Sequence, residues 1–162
     1  MIRINAIPNP HPGEKLVMHL RRHWLSFLRI FLFFFVLGLV PVAIYFFLPL
    51  VWPGILGSAL AYPILLVLFL TYYLLTLVFL FTAWTDTYLD VWTVTTHRII
   101  NREQNGLFNR VVSELHLEDV QDVTAEQKGF LATIFVFGQV YVQTAGERER
   151  FVFEQIPQPY ET

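Results

Sequence analysis

The chain contains no cysteine among its 162 residues. Disulfides, thiolate nucleophiles and cysteine-based metal sites are therefore excluded, which suits a reducing compartment such as the cytosol. Charge is also missing from two long stretches, because neither residues 30–52 nor residues 53–85 contain an acidic, basic or histidine side chain. Since a bilayer core takes about 20 helical residues to cross, the sequence predicts a helical hairpin that spans a membrane twice.

The predicted spans are residues 24–52 and 62–85, joined by an extracytoplasmic turn over residues 53–61. Aromatic and basic side chains flank such spans at membrane interfaces. The candidate membrane-interface residues are Lys15, Arg21, Arg22, Trp24, Arg29, Trp52 and Trp84.

Two features distinguish the predicted spans from plain apolar helices. Pro41 lies in the middle of the first span and removes a helix hydrogen bond, which predicts a kink over residues 37–41. The second span carries a stripe of hydroxyl groups, which either marks a helix–helix interface or bonds to its own backbone. The stripe consists of Thr71, Tyr72, Tyr73 and Thr76.

The net charge of −2 conceals two oppositely charged segments. Residues 1–29 carry +4 and residues 86–162 carry −6. Positive charge before the first span and none in the turn predicts a multi-pass protein of the inner or plasma membrane, with both termini in the cytoplasm. The acidic C-terminal segment disfavours nucleic-acid binding and general attraction to anionic lipid.

Residues 1–23 are predicted to form a cytoplasmic segment, with a basic amphipathic helix that begins near Glu14. In such a helix His19 and His23 lie one turn apart, a spacing at which two imidazoles can share a metal. No third ligand is evident, so we favour interfacial histidines without a metal, and we predict no metal and no cofactor.

Residues 86–162 are predicted to form a small cytoplasmic all-β domain. Alternating segments at roughly ten-residue spacing indicate six or seven short strands in an antiparallel sandwich or open barrel. Tight turns are predicted at Asn105-Gly106 and Ala145-Gly146, and one helical turn within residues 128–134.

Several short pieces, in this order and spacing, resemble the YdbS-like bacterial pleckstrin-homology (PH) membrane proteins. They are His11-Pro12-Gly13-Glu14-Lys15, Arg22-His23-Trp24, Val94-Thr95-Thr96-His97-Arg98-Ile99-Ile100, Gly106-Leu107-Phe108 with Arg110, Leu117-Glu118-Asp119-Val120, Phe137-Gly138-Gln139-Val140 and Thr144-Ala145-Gly146. The resemblance implies a PH-like fold closed at one end by a C-terminal helix.

The end of this chain departs from that pattern. Three residues follow Pro159, so we expect the capping helix to be short or absent. Apolar side chains such as Phe151 or Phe153 would then be exposed, unless the N-terminal segment, a neighbouring subunit or the bilayer covers them.

No catalytic constellation is evident, and the chain is interpreted as non-enzymatic. Asp86 and Asp90 form either a paired-carboxylate site or an acidic linker that solvates the span end, and we favour the linker. The candidate surface residues of the PH-like domain are Thr95, His97, Arg98 and Arg110. Either the first three form a small polar site, or Thr96-His97 is a turn and Arg98 pairs with a carboxylate, which we favour.

Three functions are consistent with this organisation. The first is a membrane-anchored binding or scaffolding module that recruits a protein partner or self-associates at the inner leaflet. The second is recognition of a lipid headgroup, which the charge of −6 disfavours. The third is an accessory subunit of a membrane enzyme or transporter, which is disfavoured because the spans contain no interior charge beyond Arg29. The expected partners are the lipid bilayer and a protein or second copy, with no nucleic acid.

Overall fold

The computed structural model describes residues 9–144 and 151–160. The elements, in chain order, are β1 (Leu16–Arg21), α1 (Trp24–Val51), a 3-10 turn (Ile55–Gly57), α2 (Ala61–Leu89), β2 (Val91–Thr95), β3 (Arg98–Gln104), β4 (Arg110–His116), a 3-10 turn (Leu117–Asp119), β5 (Val120–Glu126), α3 (Phe130–Phe135), β6 (Phe137–Thr144) and β7 (Phe151–Pro157). The predicted fold class, two long apolar helices with an antiparallel all-β domain, is confirmed.

The chain divides into two compact units. The helical unit is residues 27–84. The β unit, in the part of the chain that the structure describes, is residues 9–26, 85–144 and 151–160.

In the helical unit, α1 and α2 are both long and apolar enough to cross a membrane. Their side chains are mostly exposed, including large ones such as Phe33, Phe46 and Leu74. The core helix of a water-soluble protein would instead bury its apolar face.

A pair of tyrosines joins the two helices where Pro41 interrupts the first. Proline has no N–H, so the carbonyl of Leu37 lacks its usual helical donor. The Tyr72 hydroxyl donates to this carbonyl at 2.9 Å, and the Tyr73 hydroxyl donates to the Gly38 carbonyl at 3.0 Å. Threonines of α2 bond to their own helix instead, as Thr76 does to the Tyr72 carbonyl at 2.8 Å. Both interpretations of the polar stripe therefore hold, for different residues.

The β unit consists of two antiparallel sheets, with strand orders β1-β2-β3-β4 and β5-β6-β7. One apolar core lies between them and draws on both sheets. Its buried members are Leu20, Trp92, Ile99, Leu115, Val140, Val142, Phe153 and Ile156. Since β1 precedes α1 and β2 follows α2, the helical hairpin is an insertion between two adjacent strands of one sheet.

The amphipathic helix predicted from Glu14 is wrong for Leu16–Arg21, which is β1. Leu16, Met18 and Leu20 alternate with period two, and Leu20 lies opposite Trp92 of β2. The apolar spacing fits a strand as well as a helix, and pairing with β2 decides between them. The β domain is therefore discontinuous rather than confined to residues 86–162.

One other boundary differs from the sequence-based predictions. Asn105-Gly106 opens a five-residue connection between β3 and β4, rather than a tight two-residue turn. The turn predicted at Ala145-Gly146 lies outside the described residues.

No helix follows β7 as far as Tyr160, in agreement with the prediction. Phe153 is buried, with its ring 5.7 Å from that of Trp92, so its side chain is covered, which was one of the expected alternatives. The N-terminal segment is the reason, because β1 lies against β7 and supplies Leu20 to the same core. Phe151 is half-buried.

Replacing Tyr72 with Phe should destabilise the helical hairpin by about 1 kcal/mol, because the Leu37 carbonyl loses its donor. In a Pro41→Ala background the cost should shrink, since the alanine introduced there supplies an N–H for that carbonyl. Denaturation of the four proteins of this double-mutant cycle in detergent micelles measures the coupling. Tyr62→Phe, at the exposed start of α2, is the matched control. If Tyr72→Phe lowered the free energy of unfolding equally in the parent and in the Pro41→Ala variant, the assignment of the Tyr72 hydroxyl as the donor to the Leu37 carbonyl would be contradicted.

Candidate functional site

An ion pair joins the point where the chain leaves the β unit to the point where it returns. Arg22 Nη2 lies 2.9 Å from Asp90 Oδ2, and 3.1 Å from Glu154 Oε2 of β7. The other Asp90 oxygen accepts the backbone N–H of Gln104 at 2.8 Å. Burial raises the pKa of Asp90, although Arg22 and the Gln104 N–H oppose that shift. Asp90 is thus a buried, paired carboxylate, and its assignment to a solvated linker is wrong.

A bulge in β7 fixes the start of α1 beside this ion pair. Two residues of β7 oppose Gln139 there, and Gln155 adopts a φ of 52°. Its carbonyl accepts the His23 N–H at 2.7 Å, and its side chain hydrogen-bonds to the Ser26 hydroxyl. Bulges commonly redirect a strand's polar groups in this way.

A cleft of about 800 Å³ opens in the β unit next to the Arg22–Asp90 pair. Its lining contains four carboxylates and a single guanidinium. The residues are Arg22, Asp90, Trp92, Asn101, Glu103, Asn105, Val111, Ser113, Glu114, Phe151, Val152 and Glu154. The volume is within the range of ligand-binding pockets, and the charge favours a cation.

The strand register explains why polar residues reach the cleft. Asn101 lies opposite both Trp92 of β2 and Ser113 of β4, so the three side chains share one face of the sheet. Asn101 Nδ2 donates to Glu103 Oε1 at 2.6 Å. Asn101 Oδ1 and Trp92 Nε1 are buried without a hydrogen-bond partner among the residues described. Buried polar groups usually have a hydrogen-bond partner, so these two atoms are candidates to bond with an ordered water or a ligand.

A second ionic cluster lies around Arg98. Its Nε is 3.0 Å from Glu14 Oε1, its Nη2 is 3.2 Å from Glu14 Oε2, and its Nη1 is 2.5 Å from Glu114 Oε2. The Glu14 side chain is fully buried, and the Thr95 hydroxyl lies 2.8 Å from it. Arg98 is the main reason that the pKa of Glu14 falls to about 2. This cluster fixes the segment before β1 onto the first sheet.

The candidate surface residues separate into two groups. Thr95 is 0% exposed and Arg98 is 3% exposed, so placing them on the domain surface is wrong. Glu14, 84 residues before Arg98, supplies the charge that makes this burial possible. His97 and Arg110 are exposed, as predicted. The preferred interpretation, a turn at Thr96-His97 with Arg98 paired to carboxylates, is confirmed.

Of the candidate membrane-interface residues, four lie in the β unit. Lys15 is exposed and exchanges hydrogen bonds with Thr96, and the Arg21 guanidinium lies 5.5 Å from the Tyr88 ring centre. Arg22 forms the ion pair described above, and Trp24 is half exposed. The other three, Arg29, Trp52 and Trp84, belong to the helical unit and are exposed.

The two histidines do not have the one-turn helical spacing at which a shared metal was considered. His19 lies on β1, and His23 lies between β1 and α1. Burial lowers the pKa of both side chains. Among the described residues there is no group of three His, Asp or Glu side chains able to hold a metal.

Sequence reasoning missed several residues of the cleft and the ionic clusters. Glu14 is part of a recognisable motif, but its pairing with Arg98 is not readable from local pattern. Asn101 and Glu103 alternate with Arg98, Ile100 and Arg102 along β3. This alternation indicates which face of the strand they occupy. No local pattern predicts that Glu154 lies near Arg22, because the two residues meet only in the folded chain.

A family model described as the bacterial PH domain matches residues 27–161. The match spans most of the hairpin and β2 to β7, whereas β1 lies before it. No curated protein and no solved structure matches the chain.

Replacing Glu14 with Gln should lower the thermal stability of the full chain at neutral pH. A carboxylate whose folded pKa of about 2 lies below its ordinary value of 4.5 contributes stability above pH 4.5, which is lost as the pH falls toward 2. The difference between parent and variant should therefore narrow over that window in detergent melts. Glu118→Gln, at an exposed position, serves as the control. If the difference in melting temperature between the parent and Glu14→Gln did not change with pH, the assignment of a stabilising, ionised Glu14 would be contradicted.

Asp90 should tolerate Asn better than Ala. Asn retains an acceptor for the Gln104 N–H and removes a buried charge, whereas Ala leaves that N–H without a partner at a cost of about 1–3 kcal/mol. Chemical denaturation of the two variants in detergent gives the comparison. Equal losses would indicate that the charge on Asp90, rather than its hydrogen bond, stabilises the exit of α2.

Proposed function

Since this chain belongs to the bacterial PH domain family, we propose that it is a non-enzymatic binding module of the inner leaflet. In this proposal α1 and α2 anchor the module, and the cleft of the β unit holds a cationic segment of a protein partner. The narrower YdbS-like relationship, the multi-pass topology and cytoplasmic termini are parts of the same proposal.

The exposed apolar surface of the helices supports membrane anchoring. Both helices exceed the length needed to cross a bilayer core and carry no charge over residues 30–85. Water-soluble proteins rarely expose apolar patches beyond a few hundred Å². Arg21 and Arg22 precede the first helix and Arg29 lies near its start, whereas the connection between the helices has no basic residue, which supports the cytoplasmic placement of the β unit.

The single observation that supports a cationic partner is the cleft with its unpartnered acceptor. The cleft is lined by four carboxylates and one guanidinium, and also by Asn101, whose buried Oδ1 lacks a donor among the described residues. Lysine and arginine side chains carry N–H donors and positive charge, so they satisfy both features. The phosphate group of a lipid headgroup carries the opposite charge and only acceptor oxygens, which disfavours recognition of an anionic headgroup by this cleft.

The test uses the full chain in nanodiscs of phosphatidylcholine, a lipid without net charge. The probes are a fluorescent amphipathic peptide of Leu, Lys and Arg, and a matched peptide with Glu at every basic position. We expect saturable binding of the basic peptide only. Replacing both Glu103 and Glu154 with Gln should weaken it on the order of tenfold.

Glu118→Gln, outside the cleft, is the matched control and should leave the affinity unchanged. The proposal of a cationic partner would be refuted if the acidic peptide bound with equal affinity. It would also be refuted if the cleft variants left the affinity for the basic peptide unchanged. If soluble glycerol phosphate displaces the basic peptide with an affinity sensitive to the same variants, the headgroup function replaces it.

A further inference from the structure

The short helix α3 presents a patch of large apolar side chains. Phe130 is 79% exposed, and more than half of Leu131 and of Ile134 is accessible. The neighbouring Phe135 and Val136 are also exposed. Only Ala132 of this helix is buried, so α3 contributes little to the core of the β unit.

Hydrogen bonds hold the patch in a fixed conformation. The Gln127 side chain donates to the Ala132 carbonyl at 2.6 Å, and the Gln158 N–H donates to the Val136 carbonyl at 2.9 Å. Val136 ends the helix with a φ of 50°, a conformation that β-branched residues rarely adopt. A segment that is held in a strained conformation while its apolar side chains are exposed indicates a surface that contacts an apolar partner.

The contacts of α3 indicate which partner this is. The Phe135 ring packs edge-on against Trp24, with ring centres 5.6 Å apart and planes at 89°, and the Phe137 ring stacks on His23 at 5.3 Å. Trp24 is the first residue of α1, the apolar helix proposed to enter the bilayer. In the proposed anchoring, tryptophan at such a position would lie at the level of the lipid headgroups, and its contact with Phe135 would bring α3 to that level.

The composition of the patch suits lipid. Residues 130–137 contain no charged side chain, so inserting them desolvates no ion. Lys128, just before α3, is exposed and paired with Glu126 at 2.7 Å, which raises its pKa and keeps it charged at the edge of the patch. Apolar side chains with a basic residue at their border are typical of elements that lie in a membrane interface.

We propose that α3 is an interfacial element whose side chains Phe130, Leu131 and Ile134 insert into the leaflet that α1 enters at Trp24. The proposal rests on the membrane anchoring proposed above. It adds a third contact with lipid, made by the β unit itself. The partner is the lipid surface rather than a specific headgroup.

The lack of cysteine makes a direct test possible. Phe130→Cys and Ile134→Cys variants of the full chain each carry a single nitroxide label in nanodiscs of phosphatidylcholine and phosphatidylglycerol. Collision with oxygen, which concentrates in lipid, is compared with collision with a water-soluble nickel chelate. Leu70→Cys, an exposed position in α2, is the lipid reference, and Phe108→Cys, in the connection between β3 and β4, is the reference for water. All four positions are exposed, so labelling removes no core packing.

We expect the labels at 130 and 134 to resemble the lipid reference, with oxygen collisions exceeding nickel collisions severalfold. Labels at 130 and 134 that resemble position 108, while position 70 reports lipid, overturn the α3 proposal and leave the anchoring intact. A water-like label at position 70 overturns the anchoring. Spin–spin broadening at 130 that disappears on dilution with unlabelled chain assigns the patch to a second copy, and also overturns insertion.

Discussion

The organisation of this protein depends on how a membrane-length hairpin is inserted into a small β domain. The two strands on either side of the insertion, β1 and β2, are hydrogen-bonded neighbours although the hairpin separates them in sequence. The Arg22–Asp90 ion pair closes the base of the insertion, because one partner precedes α1 and the other follows α2. Closing so long a loop costs conformational entropy. The ion pair, the β1–β2 ladder and the Gln155 bulge act on the same few residues to offset that cost.

The two ionic clusters perform different tasks in the β unit. Around Arg98 the carboxylate of Glu14 is buried but well supplied with donors, and its pKa falls to about 2. Around Arg22 burial dominates, and the pKa of Asp90 rises. The first arrangement stabilises the fold above the ordinary pKa of a glutamate. The cluster around Arg22 leaves negative charge incompletely compensated beside an open cleft, which is typical of sites that bind ligands.

The fold class was predictable because its signals are local. Uncharged runs mark the two long apolar helices, and alternating residues mark β2 to β7. The strand β1 was not predictable, because the spacing of Leu16 and Leu20 fits both a helix and a strand. Only the pairing of Leu20 with Trp92 decides between them. The burial of Arg98 was equally hidden, since a charged residue at the start of a strand ordinarily faces solvent. Its partner Glu14 lies 84 residues away in the chain. Nothing local links those two positions.

The cleft and the base of the insertion share residues, and this has a mechanistic consequence. Arg22, Asp90 and Glu154 line the cleft and also form the ion pair at the exit points of the hairpin. A cationic side chain bound in the cleft would compete with Arg22 for the two carboxylates. By linkage, the factor by which a bound cation would weaken the Arg22 ion pair equals the factor by which that ion pair would weaken binding of the cation. A module on a simple flexible tether has no such coupling. If the cleft binds a cation as proposed, insertion of the hairpin between paired strands links that binding to the residues at which the hairpin leaves and re-enters the β unit.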